Sequence, residues 1–160
     1  MVDHLYETTM NRYEQEFSRT QHLDQKASNL IGFTGIIIAI LSFAFGSNGI
    51  REINASPYFV WLIIGIGVLL FSIIMGITAL TRFKKTLPVF IPEKFYDKYK
   101  DKTENEQREQ ILLGFFDLIY DFEKVNNRKA KLLYVGNLAT LIGLIVSFIS
   151  FLMILKVIGP

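Results

Sequence analysis

Twice in this chain a charged, helix-patterned segment passes into a long uncharged apolar run with no proline between them, and this pattern constrains the fold more than any other feature. The first junction is Asp24-Gln25-Lys26-Ala27-Ser28-Asn29-Leu30-Ile31-Gly32, which leads into apolar sequence as far as Phe45. The second is Asn127-Arg128-Lys129-Ala130-Lys131-Leu132-Leu133-Tyr134. A helix that begins in water and ends in lipid reads in this way. Stretches 30–45, 58–80 and 132–155 contain no Asp, Glu, Lys, Arg or His. The latter two exceed the roughly 20 residues that a bilayer demands, and the first reaches across as the continuation of its upstream helix.

The expected fold class is therefore an all-α membrane protein with three transmembrane helices, the first and third extended into the cytoplasm as long amphipathic helices. An apolar content of 51 % with 14 Phe in 160 residues is too high for an ordinary soluble domain. The expected division is a cytoplasmic amphipathic helix over 1–28, transmembrane helix 1 over 29–46, an outer loop over 47–57 and transmembrane helix 2 over 58–81. A cytoplasmic segment then covers 82–131, with an interfacial stretch followed by a long helix, and transmembrane helix 3 covers 132–156. The residues ahead of the first span lack the basic start of a cleaved signal peptide, so the N-terminal helix is expected to stay attached.

Charge sets the orientation. Of 17 Lys and Arg, three precede the first span (Arg12, Arg19 and Lys26), Arg51 lies between the first two, Lys156 follows the last, and the remaining twelve fall between the second and third. Fifteen basic residues thus share one side of the membrane against two on the other. The expected location is the cell's inner membrane, multi-pass, with the N-terminus cytoplasmic.

Along the first polar helix, Tyr6, Met10, Tyr13, Phe17, Thr20, Asp24 and Ala27 recur at steps of four and three, with Glu7, Glu14, Glu16 and Arg19 off this stripe. The third helix carries a matching stripe of Ile111, Phe115, Leu118, Phe122, Val125, Lys129 and Leu132, and Thr103 with Glu104 and Glu106 marks its start. Small residues continue the first stripe into the membrane as Ser28, Gly32, Gly35, Ala39, Ser42 and Gly46. Gly65, Ser72, Gly76 and Ala79 do the same in the second span, and Gly136, Thr140, Gly143 and Ser147 in the third. Such faces bring helix backbones close in lipid, and together with the two stripes they point to a homo-oligomer.

Each polar stripe carries one charge near the membrane: Asp24, six residues before Leu30, and Lys129, three before Leu132. Both helices enter from the same side, so these two are expected to meet as an interhelical charge pair, which lowers the cost of burying either alone.

Catalytic chemistry has little to draw on. The two histidines, His4 and His22, are far apart, there is no Cys, and no phosphate loop, nucleophile elbow or paired-carboxylate motif is present. The chain is expected not to be an enzyme and to need no metal or cofactor. Between 82 and 102, Phe90, Phe95, Tyr96 and Tyr99 alternate with lysines, which suits a lipid interface, while the near-balanced charge argues against nucleic acid as a partner. The bilayer is the expected partner instead.

Asp24-x-Lys26-Ala27-Ser28, followed by Leu30-Ile31-Gly32-Phe33 and an apolar span, resembles the first-helix motif of the Pycsar transmembrane effectors (PycTM), membrane proteins of prokaryotic anti-phage defence. Lys129-Ala130-Lys131-Leu132-Leu133 resembles the family's basic motif before its last span, and the order of elements agrees across nearly the whole chain. SLATT-type membrane effectors share this architecture. The resemblance implies an effector triggered by a cyclic pyrimidine nucleotide from a partner cyclase, whose membrane helices then impair membrane integrity. No separate β-rich nucleotide-binding domain is expected from this sequence, so a nucleotide is expected to meet the helical cytoplasmic part. Arg19, Lys26, Arg128 and Lys129, beside Asp24, are the candidates for its phosphate, and Tyr13 or Phe17 for its base. The alternative is a small constitutive ion channel or a membrane scaffold.

Overall fold

A computed structural model describes residues 2–46, 57–81, 101 and 103–158. They form three helices: α1 (Val2–Gly46), α2 (Phe59–Thr81) and α3 (Glu104–Ile158). Each contains a window long and apolar enough to cross a membrane, and the chain is a multi-pass membrane protein. The outer loop, the interfacial stretch and the residues after Ile158 lie outside the described residues.

α1 and α3 run parallel and in constant register. Thr20 meets Asn126 and Thr34 meets Thr140, both pairs separated by 106 positions, so a single offset relates the helices through both their polar and apolar parts. Neither helix contains proline, and both pass the two junctions without interruption, as a hydrogen-bonded backbone must do on entering lipid. α3 starts in a capping box: Thr103 Oγ1 and its backbone N–H both donate to Glu106 Oε2, at 2.8 and 3.0 Å.

α2 is antiparallel to both and is confined to the apolar layer. Leu62 packs on Ile154 at one end, Ser72 Oγ donates to the Gly136 carbonyl at 2.8 Å midway, and Ala79 joins Leu23, Ala27, Leu30 and Leu133 at the other. The small-residue stripes of α2 and α3 face inward. A Cβ at Gly65 would collide with Ser147 Oγ and lie 3.0 Å from its backbone nitrogen, and one at Gly143 would come within 3.0 Å of the Gly65 carbonyl.

The small face of α1 is not covered by its own chain. Ser28, Gly32, Ala39 and Ser42 are exposed, and a Cβ built on Gly32 or Gly35 meets nothing within 4 Å. α1 buries Thr20, Leu23, Ala27, Leu30 and Thr34 instead. The reason is a phase difference of one residue. Ala27 and Thr34 lie one position ahead of Ser28 and Gly35, and the stripe containing Leu30 fills the space between α2 and α3 that an all-small stripe leaves empty. On α3, Leu112, Asn126 and Leu133 are buried while Ile111 and Leu132 sit at the margin, so the contact face is broader than a strict four-three stripe.

Candidate functional site at the neck of the helix pair

Ala79, two residues before α2 ends at Thr81, packs with Leu23, Ala27, Leu30 and Leu133, and past Thr81 α1 and α3 continue as a pair among the described residues. Asp24 and Lys129 stand close to this end of α2, Asp24 being next in sequence to Leu23 of that cluster. Lys129 Nζ donates to Asp24 Oδ1 at 2.6 Å, a short charge-assisted hydrogen bond. The two partners are unequally buried: the Lys129 side chain is 2 % exposed and that of Asp24 40 %. Lysine reaches the contact from inside the seam, and aspartate closes it from the rim. A buried ammonium depends on its counterion, whereas the carboxylate keeps part of its hydration.

One turn farther from the membrane lies fully buried Asn126. Its Oδ1 accepts from Thr20 Oγ1 at 2.9 Å, and its Nδ2 donates to the Glu16 carbonyl at 3.0 Å and to Glu16 Oε2 at 2.8 Å. Arg19 brackets the group, donating from Nη1 to Glu16 Oε1 at 3.5 Å and from Nη2 to Asn127 Oδ1 at 3.0 Å. A buried amide needs all its hydrogen bonds, and this one receives them from α1. Glu16, placed off the stripe by the sequence pattern, borders the seam because Asn126 draws its carboxylate inward. The spacing from Asn126 to Lys129, three residues on one face, was the available signal for this second layer.

Beyond it the rings of Tyr13, Phe17, Phe115 and Phe122 pack together. Tyr13 meets Phe115 edge-on at 5.3 Å and Phe122 at 5.7 Å, and lies nearly parallel to Phe17 at 6.4 Å. These rings serve first as the polar pair's apolar core, with Phe17 still 45 % exposed.

The residues expected to meet a phosphate are not gathered into one pocket. Arg19 is engaged by Glu16 and Asn127. Lys26 and Arg128 are exposed and have no polar partner among the described residues. With about 100° of turn per residue, Lys26 lies roughly 160° around α1 from Asp24. Only Asp24 and Lys129 come into contact.

Inside the apolar layer, one hydroxyl cluster ties all three helices. Thr140 Oγ1 is 3.2 Å from Thr34 Oγ1 and 2.7 Å from Ser72 Oγ, and donates to the Gly136 carbonyl at 3.1 Å. The charge pair, the Asn126 layer and this cluster therefore share one seam, and the arrangement is suited to holding helices in register.

No curated protein and no solved structure matches the chain. A family model does: that of the Pycsar effector protein domain, PycTM, matches residues 6–155. The match takes in both junctions, the seam between α1 and α3 and all of α2, and the chain belongs to the PycTM family of Pycsar effectors.

Proposed function

We propose that this protein is an oligomeric effector of anti-phage defence in the prokaryotic inner membrane, silent at rest and triggered by a cyclic pyrimidine nucleotide from a partner cyclase, whereupon it impairs membrane integrity. The N-terminus and the polar parts of α1 and α3 lie on the cytoplasmic side, where such a signal is made. The protein performs no catalysis of its own.

The observation that carries this reading is the pair of Asp24 and Lys129, 2.6 Å apart on two helices that each continue into the membrane. The half-exposed carboxylate is the accessible partner. A phosphate offered to Lys129 competes with it, and its release frees α1 from α3 close to the end of α2. Family membership supports the defence role.

The test is membrane potential in cells. Expressed alone, the protein should leave it unchanged; with a cognate cyclase and its signal, the cells should depolarise and stop growing. Asp24→Lys and Lys129→Asp should each disturb either silence or response, and the double exchange should restore both. Unchanged behaviour of both single variants at normal membrane levels would falsify the switch, and equal depolarisation with and without signal would instead identify a constitutive channel.

A further inference from the structure

The face of α1 that its own chain leaves bare has a counterpart on α3. Ser28, Gly32 and Ala39 are exposed and Gly35 half-buried, forming a shallow groove one residue out of phase with the buried face. Applying the offset of 106 that relates the parallel helices, the positions at the same depth on α3 are Tyr134, Leu138, Leu141 and Ile145. All four are exposed, Tyr134 the most at 71 %. They lie opposite the buried face of Leu133, Gly136 and Thr140, and they repeat the groove's steps of four, three and four. A row of large side chains thus stands at the same membrane depth as a row of small ones, on opposite outer sides of one molecule.

A second, independent feature points the same way outside the apolar layer. The bare side of α1 carries Glu7, Glu14 and the exposed edge of Asp24, and no basic residue. The outer side of α3 carries exposed Asp117 and Asp121 farther from the membrane and Lys124 and Lys131 as it nears the membrane. At equal depth Lys131 falls beside Asp24, and Lys124 one turn from Glu14.

We infer that the groove of α1 receives the α3 ridge of a second copy of this chain, in a head-to-tail contact between parallel copies. Groove on groove, the close symmetric packing that small-residue faces also permit, leaves the α3 ridge uncovered, and ridge on ridge separates the backbones, whereas groove on ridge covers both faces. The contact is therefore heterologous, and around an axis normal to the membrane it repeats until it closes into a ring. The inference rests on the effector reading only for the common orientation of the copies. It explains why a helix of an otherwise tightly packed bundle keeps a small-residue face turned to lipid.

The natural absence of cysteine permits a direct test. Two differently tagged full-length chains, one Ser28→Cys and the other Tyr134→Cys, are co-expressed and oxidised in isolated membranes. Disulfide-linked heterodimers are expected from the mixture, and little product from either variant alone. Gly35→Cys with Leu141→Cys should behave in the same way, and Ser28→Cys with Ile145→Cys, about 16 Å out of register at 1.5 Å per residue, should not. Gly35→Leu, whose Cβ has nothing within 4 Å in its own chain, should abolish the link between positions 28 and 134. Absence of heterodimer from both matched pairs, with all chains in the membrane, overturns the contact. So does equal linking by Ser28→Cys alone, which would mark a symmetric interface. Linking in cells that never depolarise upholds the contact and counts against the effector reading.

Discussion

Lys129 comes to Asp24 from inside the helix seam, 2 % exposed, while Asp24 faces it from the rim at 40 %, so the two ends of one 2.6 Å bond answer to different solvents. Removing one end is not equivalent to removing the other. Asp24→Asn leaves an ammonium buried without its counterion, and the expected loss is about 1.5–3 kcal/mol, the range for a hydrogen bond to a charged group. Lys129→Met leaves only a hydrated carboxylate and should cost less. Thermal unfolding in detergent, followed by the fluorescence of Trp61, should rank the aspartate variant lower. The reverse order would show that water reaches Lys129.

Asn126 should be the most sensitive neutral position outside the membrane. Asn126→Leu removes partners from Thr20 and leaves the Glu16 carboxylate facing an apolar side chain, at an expected cost of about 1–3 kcal/mol. Hydrogen exchange should then accelerate across the first twenty residues of α1 while α2 remains protected. Uniform exchange along the whole chain would contradict a locally held seam.

The inner glycines should respond in proportion to the space around them. Gly65→Ala drives a methyl group into Ser147 Oγ and toward the Gly143 carbonyl, for an expected loss of about 1–3 kcal/mol by overpacking. Gly67→Ala, whose Cβ meets nothing within 4 Å, should be neutral or slightly stabilising. Melting temperatures of the two variants measured side by side decide this, and equal values would mean that α2 and α3 can shift apart freely.

Within the hydroxyl cluster, Thr140 is the shared member, bonded to Thr34, Ser72 and the Gly136 carbonyl. Thr140→Val should therefore cost more than Thr34→Val, although interhelical hydrogen bonds in membranes average only about 0.6 kcal/mol and reach about 1.7. A stability difference of less than a few tenths of a kcal/mol between the two variants would show that the cluster does not act as a unit.

Much of the architecture was legible because lipid tolerates so few patterns. Long stretches without a charged residue, joined to amphipathic helices without proline, left three spans and two long helices as the simplest reading. The juxtaposition of Asp24 with Lys129 was legible too, since each is a solitary charge on an apolar stripe at a similar distance from the membrane. The burial of Glu16 was not, because it depends on Asn126 reaching across from a helix more than a hundred residues away. Nor was the phase of α1 within the bilayer. Ala27 and Ser28 both begin plausible stripes, and only the bulk presented by α2 and α3 selects the one through Leu30 and Thr34. Helical periodicity describes which residues share a face; which face is covered is decided by the neighbours.

The continuity of α1 from Val2 to Gly46 has a mechanical consequence. A rod of 45 residues, about 68 Å long at 1.5 Å per residue and without a kink-forming proline, acts as a torsion shaft: it cannot turn at one end and stay still at the other. Asp24 is near its middle, and Ser42 lies 18 residues, or about 27 Å, farther along. The buried and bare faces of the shaft differ by a single residue's angular step, about 100°. A twist of that size at the polar end would exchange the surface shown to lipid along the entire span, with no bond broken inside the bilayer except those of Thr34.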